Sequence, residues 1–576
     1  MPSQISASVA VTDGSGNSQI APAGVQEFDP AQTGLTQPYY QYQATVANLN
    51  PSSLYSYQIQ AANQPIPCSL SRPLQFRTAD SGPFSFLHFA DSGMGNDNQA
   101  QLGQQMGQEQ VSLALANGDL AYQMATFASV DANYYGAYCN MMAQIPFFAS
   151  LGNHEYYTQQ GAPSLAARAM ASNGVSAADA GRYYSFDWGN VHFVALDSNQ
   201  PLVNAIAGTG QMLTWLDNDL RQTRKFWRVV FFHHPGYATG HHQDEPPAGQ
   251  VRQYIVPILE KYGVQLVFNG HEHTYQRTYE LLGGQSVDPN SGGIVYVTSG
   301  GGGADTYWTA PNELIAQSVG INNYVRADVS GGTMTLHARG LGQSDDIDSI
   351  ALAPRPQIYS AVNSASYNGS LASGGAVTIF GRNLSPGEIR PSATAAMTDN
   401  PNCAVSLNGS PIPILYAGAG QINAQIPFSF SGEGTLVATT ANGSAELPVV
   451  VNPVAPQIFL GADGLALAIH SGGLIVSADE PAQPLETITV LATGLGEGNT
   501  PVAEGIRPPA PVPVMASVSV QVNGIRARLF SAVVSAQAAG VYEITLQVPS
   551  VTNPPFSSLQ IFANGVASNQ APLASA

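Results

Sequence analysis

The sequence of 576 residues predicts a multidomain protein in which an α/β domain stands between β-sandwich modules. Three observations support this prediction. The chain is too long for one hydrophobic core, because single cores rarely exceed about 300 residues. Its middle part alternates short apolar runs with amphipathic segments, whereas both ends show strand-like patterns only. Its 58 glycines and 40 prolines suit short strands joined by many turns.

The composition excludes several classes of protein. Hydrophobic residues make up 44% of the chain, which excludes a largely disordered protein. The net charge of −19 argues against nucleic acid or an anionic membrane as a partner, because both require a basic surface. Bound cations would still allow such an acidic protein to handle phosphate, since they reverse the local sign of the field. No apolar run reaches about 18 residues, so we expect no membrane span.

The cysteines predict no disulfide framework. Cys68, Cys139 and Cys403 are far apart in sequence and form no metal-type CxxC pair. We expect all three to be unpaired structural residues, with a single Cys68–Cys139 bridge as the alternative.

Residues 1–80 are predicted to form a β module. The segment 40–46 alternates in polarity, as a half-buried strand does. The next segment, Leu49-Asn50-Pro51-Ser52-Ser53-Leu54-Tyr55-Ser56-Tyr57, resembles the corner before a late strand of fibronectin type III domains, where a tyrosine hydrogen-bonds to nearby backbone. We therefore expect a fibronectin-III-like domain; another small β domain is the alternative.

Residues 83–345 are predicted to form the α/β domain. Seven short apolar runs have the length and composition of strands: 84–90, 111–116, 146–151, 191–196, 228–232, 264–268 and 294–298. Apolar residues at helical spacing predict helices over 212–223 and 251–262. Alternation of strands and helices is typical of a layered α/β domain.

Two further β-sandwich modules, over 355–453 and 454–576, are predicted from a weak internal repeat. Each copy contains an Asn-Gly pair between alternating apolar residues, Asn408-Gly409 in the first and Asn523-Gly524 in the second. Such a pair is a strong hairpin signal. The modules resemble the immunoglobulin-like repeats of secreted bacterial proteins. This resemblance identifies no ligand, but it makes the modules candidates for contact with a surface or matrix.

Five predicted strands of the α/β domain each end near a potential metal ligand. The segments are Asp91-Ser92-Gly93, Gly118-Asp119-Leu120-Ala121-Tyr122, Gly152-Asn153-His154-Glu155, His233-His234-Pro235 and Gly270-His271-Glu272-His273. In open α/β sheets ligands bind at this edge. Carboxylates, imidazoles and an amide oxygen suit transition metals of intermediate hardness, and a carboxylate such as Asp119 can bridge two ions. The glycines before Asp119, Asn153 and His271 would let the backbone approach the cluster.

In this order the motifs DxG, GDxxY, GNHE, VxxH and GHxH resemble the signature of purple acid phosphatases, within the wider metallophosphoesterases. The resemblance covers about residues 83–340 and fills all seven metal-ligand positions of the family. It implies two β-sheets that are flanked by helices. The sequence departs from the family at Ala90, where glycine is common before the first aspartate. We expect this change to alter packing rather than ligation.

The resemblance implies a binuclear metal centre. A ferric ion would be bound by Asp91, Asp119, Tyr122 and His273. A divalent ion (Zn, Mn or Fe) would be bound by Asp119, Asn153, His233 and His271. Tyr122 discriminates within the wider superfamily, because a phenolate favours Fe(III) and gives the charge-transfer colour.

The resemblance also implies an activity. The expected function is an acid phosphatase that cleaves small phosphate monoesters by attack of a metal-bound hydroxide. His154 would orient or protonate the substrate. His242 matches the second substrate-facing histidine, and His241 is the register-shifted alternative. The competing hypotheses are a phosphodiesterase on the same scaffold and a non-catalytic cell-surface binding protein with a vestigial metal site.

The cellular location is predicted from the composition and the domain organisation. The few lysines and the appended sandwiches favour a secreted or periplasmic protein, although no secretory signal follows Met1. The physiological substrate, the divalent metal, the pH optimum and the oligomeric state are left open. Four other histidines are expected to be caps or solvated side chains without a chemical role: His88, His192, His337 and His470.

Overall fold

The computed structural model describes residues 4–61, 74–79, 82–158, 179–199, 210–392, 397–398 and 400–576. The chain divides into two compact units, Met1–Pro354 and Arg355–Ala576. Division of these units into four domains remains a prediction.

The first unit begins with a five-stranded antiparallel sheet. Its strands are β1 (Ala7–Thr12), β2 (Ser18–Phe28), β3 (Tyr39–Ala44), β4 (Leu54–Ala61) and β5 (Gln75–Arg77), in the order β3-β2-β1-β4-β5, with α1 (Pro30–Thr33) between β2 and β3. At the corner before β4, the backbone N–H of Asn50 donates to the hydroxyl of the buried Tyr55 at 2.9 Å. The expected tyrosine contact is therefore present, while the fibronectin-III-like assignment stays a prediction.

Two mixed sheets form the rest of the first unit. Their strands, with a small β14–β15 hairpin, are β6 (Phe84–Phe89), β7 (Leu113–Asn117), β8 (Phe147–Ser150), β9 (Tyr184–Trp188), β10 (Val191–Ala195), β11 (Trp227–Phe231), β12 (Leu266–Asn269), β13 (Tyr275–Thr278), β14 (Leu281–Leu282), β15 (Gln285–Ser286), β16 (Val295–Ser299), β17 (Ile315–Val319), β18 (Asn323–Ser330), β19 (Thr333–Gly340) and β20 (Asp346–Leu352). The sheet orders are β20-β19-β18-β6-β7-β8 and β17-β13-β16-β12-β11-β10-β9. All seven predicted apolar runs are strands, and they pair in parallel within the groups β6-β7-β8 and β10-β11-β12-β16.

Helices connect these strands. They are α2 (Asp97–Met106), α3 (Phe127–Val130), α4 (Ala137–Met142), α5 (Asn153–Tyr156), α6 (Gln211–Gln222), α7 (Pro246–Gln250) and α8 (Val256–Tyr262), with π-helical segments at Asp131–Gly136 and Val251–Ile255. The predicted helix over 251–262 therefore begins as a π-helical turn. Among the described residues, no helix combines the length and apolar character needed to cross a membrane.

Aromatic side chains fill the space between the two sheets. Phe86 of β6 meets Phe193 and Phe268 of the other sheet edge-on, with ring centroids 5.2 and 6.1 Å apart. His88 is fully buried beside them and stacks on Phe268 at 4.3 Å. Burial lowers the pKa of His88 to about 3, so this histidine is a neutral core residue and not the cap or solvated side chain expected.

His192 connects two strands and a helix through charged hydrogen bonds. Its Nδ1 lies 2.7 Å from Asp187 Oδ1, and its Nε2 lies 2.8 Å from Asp219 Oδ2. Burial opposes protonation, but the hydrogen bonds to Asp187 and Asp219 raise the pKa of His192 above its ordinary value. Burial alone would raise the pKa of Asp187, but the hydrogen bonds and charges of His192 and Lys225 together lower it. His192 therefore has a structural role, but its ring is buried and paired on both nitrogens and is not the cap or solvated side chain expected.

Replacing His192 with glutamine should destabilise the first unit in a pH-dependent way. A raised pKa in the folded state stabilises fully below the unfolded value of about 6.5, and this contribution disappears as pH rises through the folded pKa. At about pH 5.5 we expect His192→Gln to lose on the order of 2 kcal/mol of unfolding free energy, and less near pH 9. Thermal unfolding of both proteins between pH 5 and 9 measures this difference. A loss that does not change with pH would contradict the charged pairing.

The second unit is all-β and has two separate cores. Its first part comprises β21 (Gln357–Asn363), β22 (Leu371–Ala372), β23 (Ala376–Arg382), β24 (Ala404–Leu407), β25 (Ser410–Pro411), β26 (Ile414–Gly418), β27 (Gln421–Gln425), β28 (Gly432–Thr440) and β29 (Gly443–Asn452). Its second part comprises β30 (Gln457–Ile458), β31 (Ala468–His470), β32 (Thr487–Thr493), β33 (Val512–Pro513), β34 (Val518–Val522), β35 (Ile525–Arg526), β36 (Arg528–Val534), β37 (Tyr542–Gln547), β38 (Phe556–Ala563), β39 (Val566–Ala567) and β40 (Ala571–Ala574). Each part consists of two sheets.

The predicted Asn-Gly hairpins are confirmed in both parts. Asn408-Gly409 joins β24 to β25, and Asn523-Gly524 joins β34 to β35. Both asparagines have positive φ, 49° and 53°, as do the glycines after them. This is the backbone that a two-residue hairpin loop requires.

The expectation of three unpaired cysteines is wrong for Cys139, which is disulfide-bonded. Cys403 is free and buried, as expected. Cys68, the partner considered as the alternative, lies outside the described residues.

Candidate metal centre

The predicted metal ligands meet where strands of both sheets end. Asp91, Asp119 and Asn153 follow β6, β7 and β8 of one sheet, whereas His233 and His271 follow β11 and β12 of the other. Tyr122 and His273 lie in the same loops as Asp119 and His271. The cluster therefore combines five loops, each of which follows a strand of one of the two sheets.

One group of donor atoms surrounds the hydroxyl of Tyr122. That oxygen lies 3.1 Å from Asp91 Oδ1, 2.9 Å from Asp119 Oδ2 and 3.2 Å from His273 Nε2. Burial and the charges of Asp119 and Asp91 raise the pKa of Tyr122 well above its ordinary value. Two carboxylates, an imidazole and a phenol oxygen at these distances are a donor set that suits a transition-metal cation.

A second group lies on the other side of Asp119. His233 Nε2 is 3.0 Å from Asn153 Oδ1 and 3.5 Å from Asp119 Oδ1. The rings of His233 and His271 have centroids 5.1 Å apart. Asp119 thus directs Oδ2 to the first group and Oδ1 to the second, which is the arrangement of a bridging carboxylate.

Each histidine of the cluster has one ring nitrogen engaged outside it. His233 Nδ1 lies 2.8 Å from the carbonyl oxygen of Asn117, and His273 Nδ1 lies 2.8 Å from that of Asp305. His271 Nε2 lies 2.9 Å from Glu245 Oε2. Such contacts fix ring orientation and leave the other nitrogen for a metal. The seven residues therefore fit a pair of metal ions.

The backbone at three of these ligands has an uncommon conformation. Asp91, Asp119 and His271 have φ values of 57°, 50° and 69°, which non-glycine residues rarely adopt. Residues kept in such conformations cluster at functional sites.

The glycines before the ligands are required by close packing. A Cβ at Gly152 would lie 2.2 Å from Asp119 Oδ1, and one at Gly118 would lie 2.7 Å from His233 Nδ1. A Cβ at Gly270 would lie 2.5 Å from both Asp91 Oδ2 and the Cβ of Ala90. Ala90, the departure from the family pattern, therefore packs against a glycine beside the ligands.

Glu155 holds the two loops that carry Asp119 and Asn153. This fully buried carboxylate accepts the backbone N–H of Asp119 at 2.9 Å and of Gly152 at 2.6 Å on Oε2, and that of Leu120 at 2.8 Å on Oε1. The sequence analysis assigned no role to Glu155. Its position directly after Asn153 and His154 is the feature of the sequence that could have indicated one.

Of the three predicted catalytic histidines, two line the cavity and one does not. His154 and His242 both line the cavity above the cluster, which measures about 580 Å³. His154 Nδ1 lies 2.6 Å from the carbonyl oxygen of Gln123, and His242 Nδ1 lies 2.8 Å from Glu245 Oε1. His241 is exposed and is not among the described lining residues, although its ring centroid lies 5.0 Å from that of Tyr307, which does line the cavity. Of the two alternatives, His242 is thus the one among the described residues that line the cavity.

Other cavity residues were not anticipated from sequence. Glu245 joins His242 to His271, and Tyr307 stacks on His273 with centroids 4.3 Å apart. Glu245 lies three residues after His242 but 26 residues before His271, and Tyr307 is also remote in sequence from His273, so no local pattern marks the contacts with the two metal-ligand candidates. The cavity is further lined by Met94, Gln123, Tyr156, Tyr157, Asn199, His234, Pro247, Ala304 and Asp305.

Part of the chain is similar to metal-dependent phosphoesterases. Residues 84–275 match the family model of the calcineurin-like phosphoesterases, so the chain contains such a domain. Purple acid phosphatase 23 of Arabidopsis thaliana is 27% identical over 294 residues, which cover 45% of this chain and 61% of that protein. Acid phosphatase type 7 of Mus musculus is 25% identical over 349 residues, 54% of this chain and 76% of that protein. The chain thus spans less than two thirds of the Arabidopsis relative.

A solved structure shares the fold. Purple acid phosphatase PPD1 from yellow lupin (Lupinus luteus) seeds superimposes with a TM-score of 0.52 at 17% identity, covering 61% of this chain and 70% of that chain. This likeness concerns the fold alone.

Proposed function

We propose that the protein is a binuclear-metal hydrolase that cleaves phosphate monoesters. The observation that carries the proposal is Asp119, whose two carboxylate oxygens face two separate groups of donor atoms. Acid phosphatases among the relatives support the same reaction class. The small cavity suits a small phosphate ester, and the net charge of −19 disfavours nucleic acid.

The two metal positions differ in their ligands. The position around Tyr122 suits Fe(III), with the ligands Asp91, Asp119, Tyr122 and His273. The other suits Zn, Mn or Fe(II), with the ligands Asp119, Asn153, His233 and His271. When bound, the metals supply the nucleophile and the positive charge that phosphoryl transfer requires.

Two histidines of the chain serve the substrate. His154 donates Nδ1–H to Gln123, which leaves Nε2 to the cavity. His242 donates Nδ1–H to Glu245, so its Nε2 can deliver a proton to the leaving-group oxygen. Both lie in the cavity wall around the donor cluster, within reach of a phosphate ester held there.

Metal analysis with a visible spectrum tests the proposal. We expect iron and a divalent metal, hydrolysis of p-nitrophenyl phosphate, and loss of colour in Tyr122→Phe because the phenolate ligand is gone. Tyr156→Phe is the matched control, since this cavity tyrosine bonds Asp197 and Arg182 instead of the cluster and should keep the colour.

Three results would contradict parts of the proposal. Colour that does not depend on Tyr122 would exclude the ferric–tyrosinate position. Faster hydrolysis of bis(p-nitrophenyl) phosphate than of the monoester would identify a phosphodiesterase. Metal-free protein without hydrolysis would support a binding protein with a vestigial site.

The location and the flanking modules belong to the same proposal. A secreted or periplasmic location is supported by the disulfide at Cys139, because disulfides persist in oxidising compartments. Fractionation of producing cells tests the location; activity confined to the cytoplasm would contradict it.

The flanking modules are a fibronectin-III-like domain over 1–80 and two immunoglobulin-like sandwiches over 355–453 and 454–576, which could contact a surface or matrix.

A further inference from the structure

Glu272 lies between two proposed metal ligands, His271 and His273, yet its side chain turns away to another loop. Its Oε1 accepts the backbone N–H of His241 at 2.8 Å, and its Oε2 accepts that of His242 at 2.7 Å. The side chain is fully buried. A buried carboxylate with one backbone donor on each oxygen is a fixed two-point attachment.

The loop is built to reach this carboxylate. Gly240 has a φ of 126°, a conformation that other residues rarely adopt. A Cβ there would lie 2.4 Å from Glu272 Oε1 and 3.0 Å from the carbonyl oxygen of Trp308. Any larger residue at Gly240 would therefore push the loop off Glu272.

The attachment determines where His242 lies. With its backbone held by Glu272, the ring of His242 packs 4.1 Å from that of His271, and its Nδ1 meets Glu245. Glu245 also contacts His271, so the loop is tied to the metal-ligand segment at two places. The loop and the cluster therefore form one connected unit.

We propose that Glu272 is a positioning residue that holds the His242 loop at the metal centre, so that His242 can protonate the leaving group. This inference rests on the proposed phosphatase function. Glu272 itself touches neither substrate nor reacting atoms. Glutamine at this position has only one acceptor oxygen, so one of the two backbone N–H groups would lose its partner and the loop would loosen.

Leaving groups of different quality separate this role from a general structural one. A departing p-nitrophenolate needs little protonation, whereas an alkoxide requires a proton donor, and general acid catalysis contributes about 10²- to 10⁴-fold. We expect Glu272→Gln to lower kcat/KM for an alkyl phosphate about 100-fold and for p-nitrophenyl phosphate less than about threefold. Metal content and colour should stay as in the wild type. Gly240→Ala disrupts the same contact by changing the loop instead of Glu272, and it should show the same selective loss of kcat/KM for the alkyl phosphate.

Hydrogen exchange supplies a readout that does not depend on activity. The amides of His241 and His242 should be protected in the wild type and exchange faster in both variants, because their acceptor is weakened or displaced. Glu280→Gln is the matched control: Glu280 accepts the backbone N–H groups of Asn290, Gly292 and Gly293 in a loop outside the cavity lining. This control should leave both substrates and the exchange of residues 241–242 unchanged.

The outcomes are distinct. Faster exchange together with the selective loss supports the inference. Unchanged exchange in Glu272→Gln, equal losses for both substrates, or loss of metal would each overturn it. A wild-type protein that hydrolyses neither substrate overturns the proposed function instead, and this is seen before any variant is made.

Discussion

Replacement of Asp119 by asparagine is expected to lower kcat/KM for p-nitrophenyl phosphate by on the order of 10³-fold or more. Asparagine keeps the size of the side chain and one oxygen, but it offers an amide N–H₂ in place of the second oxygen. Because Oδ1 faces His233 and Oδ2 faces Tyr122, the substitution removes a ligand from one of the two groups whichever way the amide turns. The negative charge that the two proposed metals would share is lost as well.

Metal analysis of Asp119→Asn separates this mechanism from unfolding. We expect a substoichiometric metal content with an unchanged far-ultraviolet circular dichroism spectrum. Asp217→Asn provides the comparison, since this carboxylate contacts Lys261 on the surface and should have no effect on metals or rate. Full metal occupancy and near-normal hydrolysis in Asp119→Asn would contradict a bridging role.

The parallel strands could be predicted because they are buried on both faces and read as continuous apolar runs. The strand Leu113–Asn117 is buried at all five positions, and so is Val191–Ala195. The ends of such runs locate the loops at the carboxyl edge of the sheet, which is why five separate motifs could be assigned to one cluster. The sequence therefore allowed prediction of those site residues that come shortly after a strand.

The contacts that hold the cluster in place could not be predicted in the same way. Glu245 contacts His271, which lies 26 residues further along the chain. The residues around Glu245 show no sequence pattern that would indicate this contact. Tyr307 lies in the long loop between β16 and β17, and the course of this loop brings its ring onto that of His273. Local patterns report burial and turns, whereas these contacts depend on how loops from different strands pack together.

Cys139 illustrates a second limit. Wide spacing in sequence argued for an unpaired thiol, but distance along the chain does not measure distance in space, and the residue is disulfide-bonded. The Asn-Gly hairpins are the opposite case. Their backbone conformation depends on the two residues themselves, so Asn408 and Asn523 adopt it as expected.

Glu155 gives the second large expected effect. Its three backbone acceptor contacts stabilise the uncommon φ of Asp119 and orient the loop that begins with Gly152. Glutamine at this position would turn an N–H₂ group towards at least one backbone N–H, which leaves a buried donor unsatisfied. We expect Glu155→Gln to weaken binding of the divalent metal about 10- to 100-fold, with a similar fall in kcat.

Titration of the divalent metal against a competing chelator measures this effect directly, without relying on activity. The iron–tyrosinate colour should persist in Glu155→Gln, because Asp91 and His273 lie in loops that Glu155 does not contact and the Tyr122 hydroxyl keeps its contacts with both. Glu109→Gln is a suitable comparison, since Glu109 bonds the side chains of Arg326 and Tyr324 and is not among the residues that line the cavity. Unchanged metal affinity in Glu155→Gln would mean that the strained backbone at Asp119 is held by the metals themselves and not by the buried carboxylate beneath them.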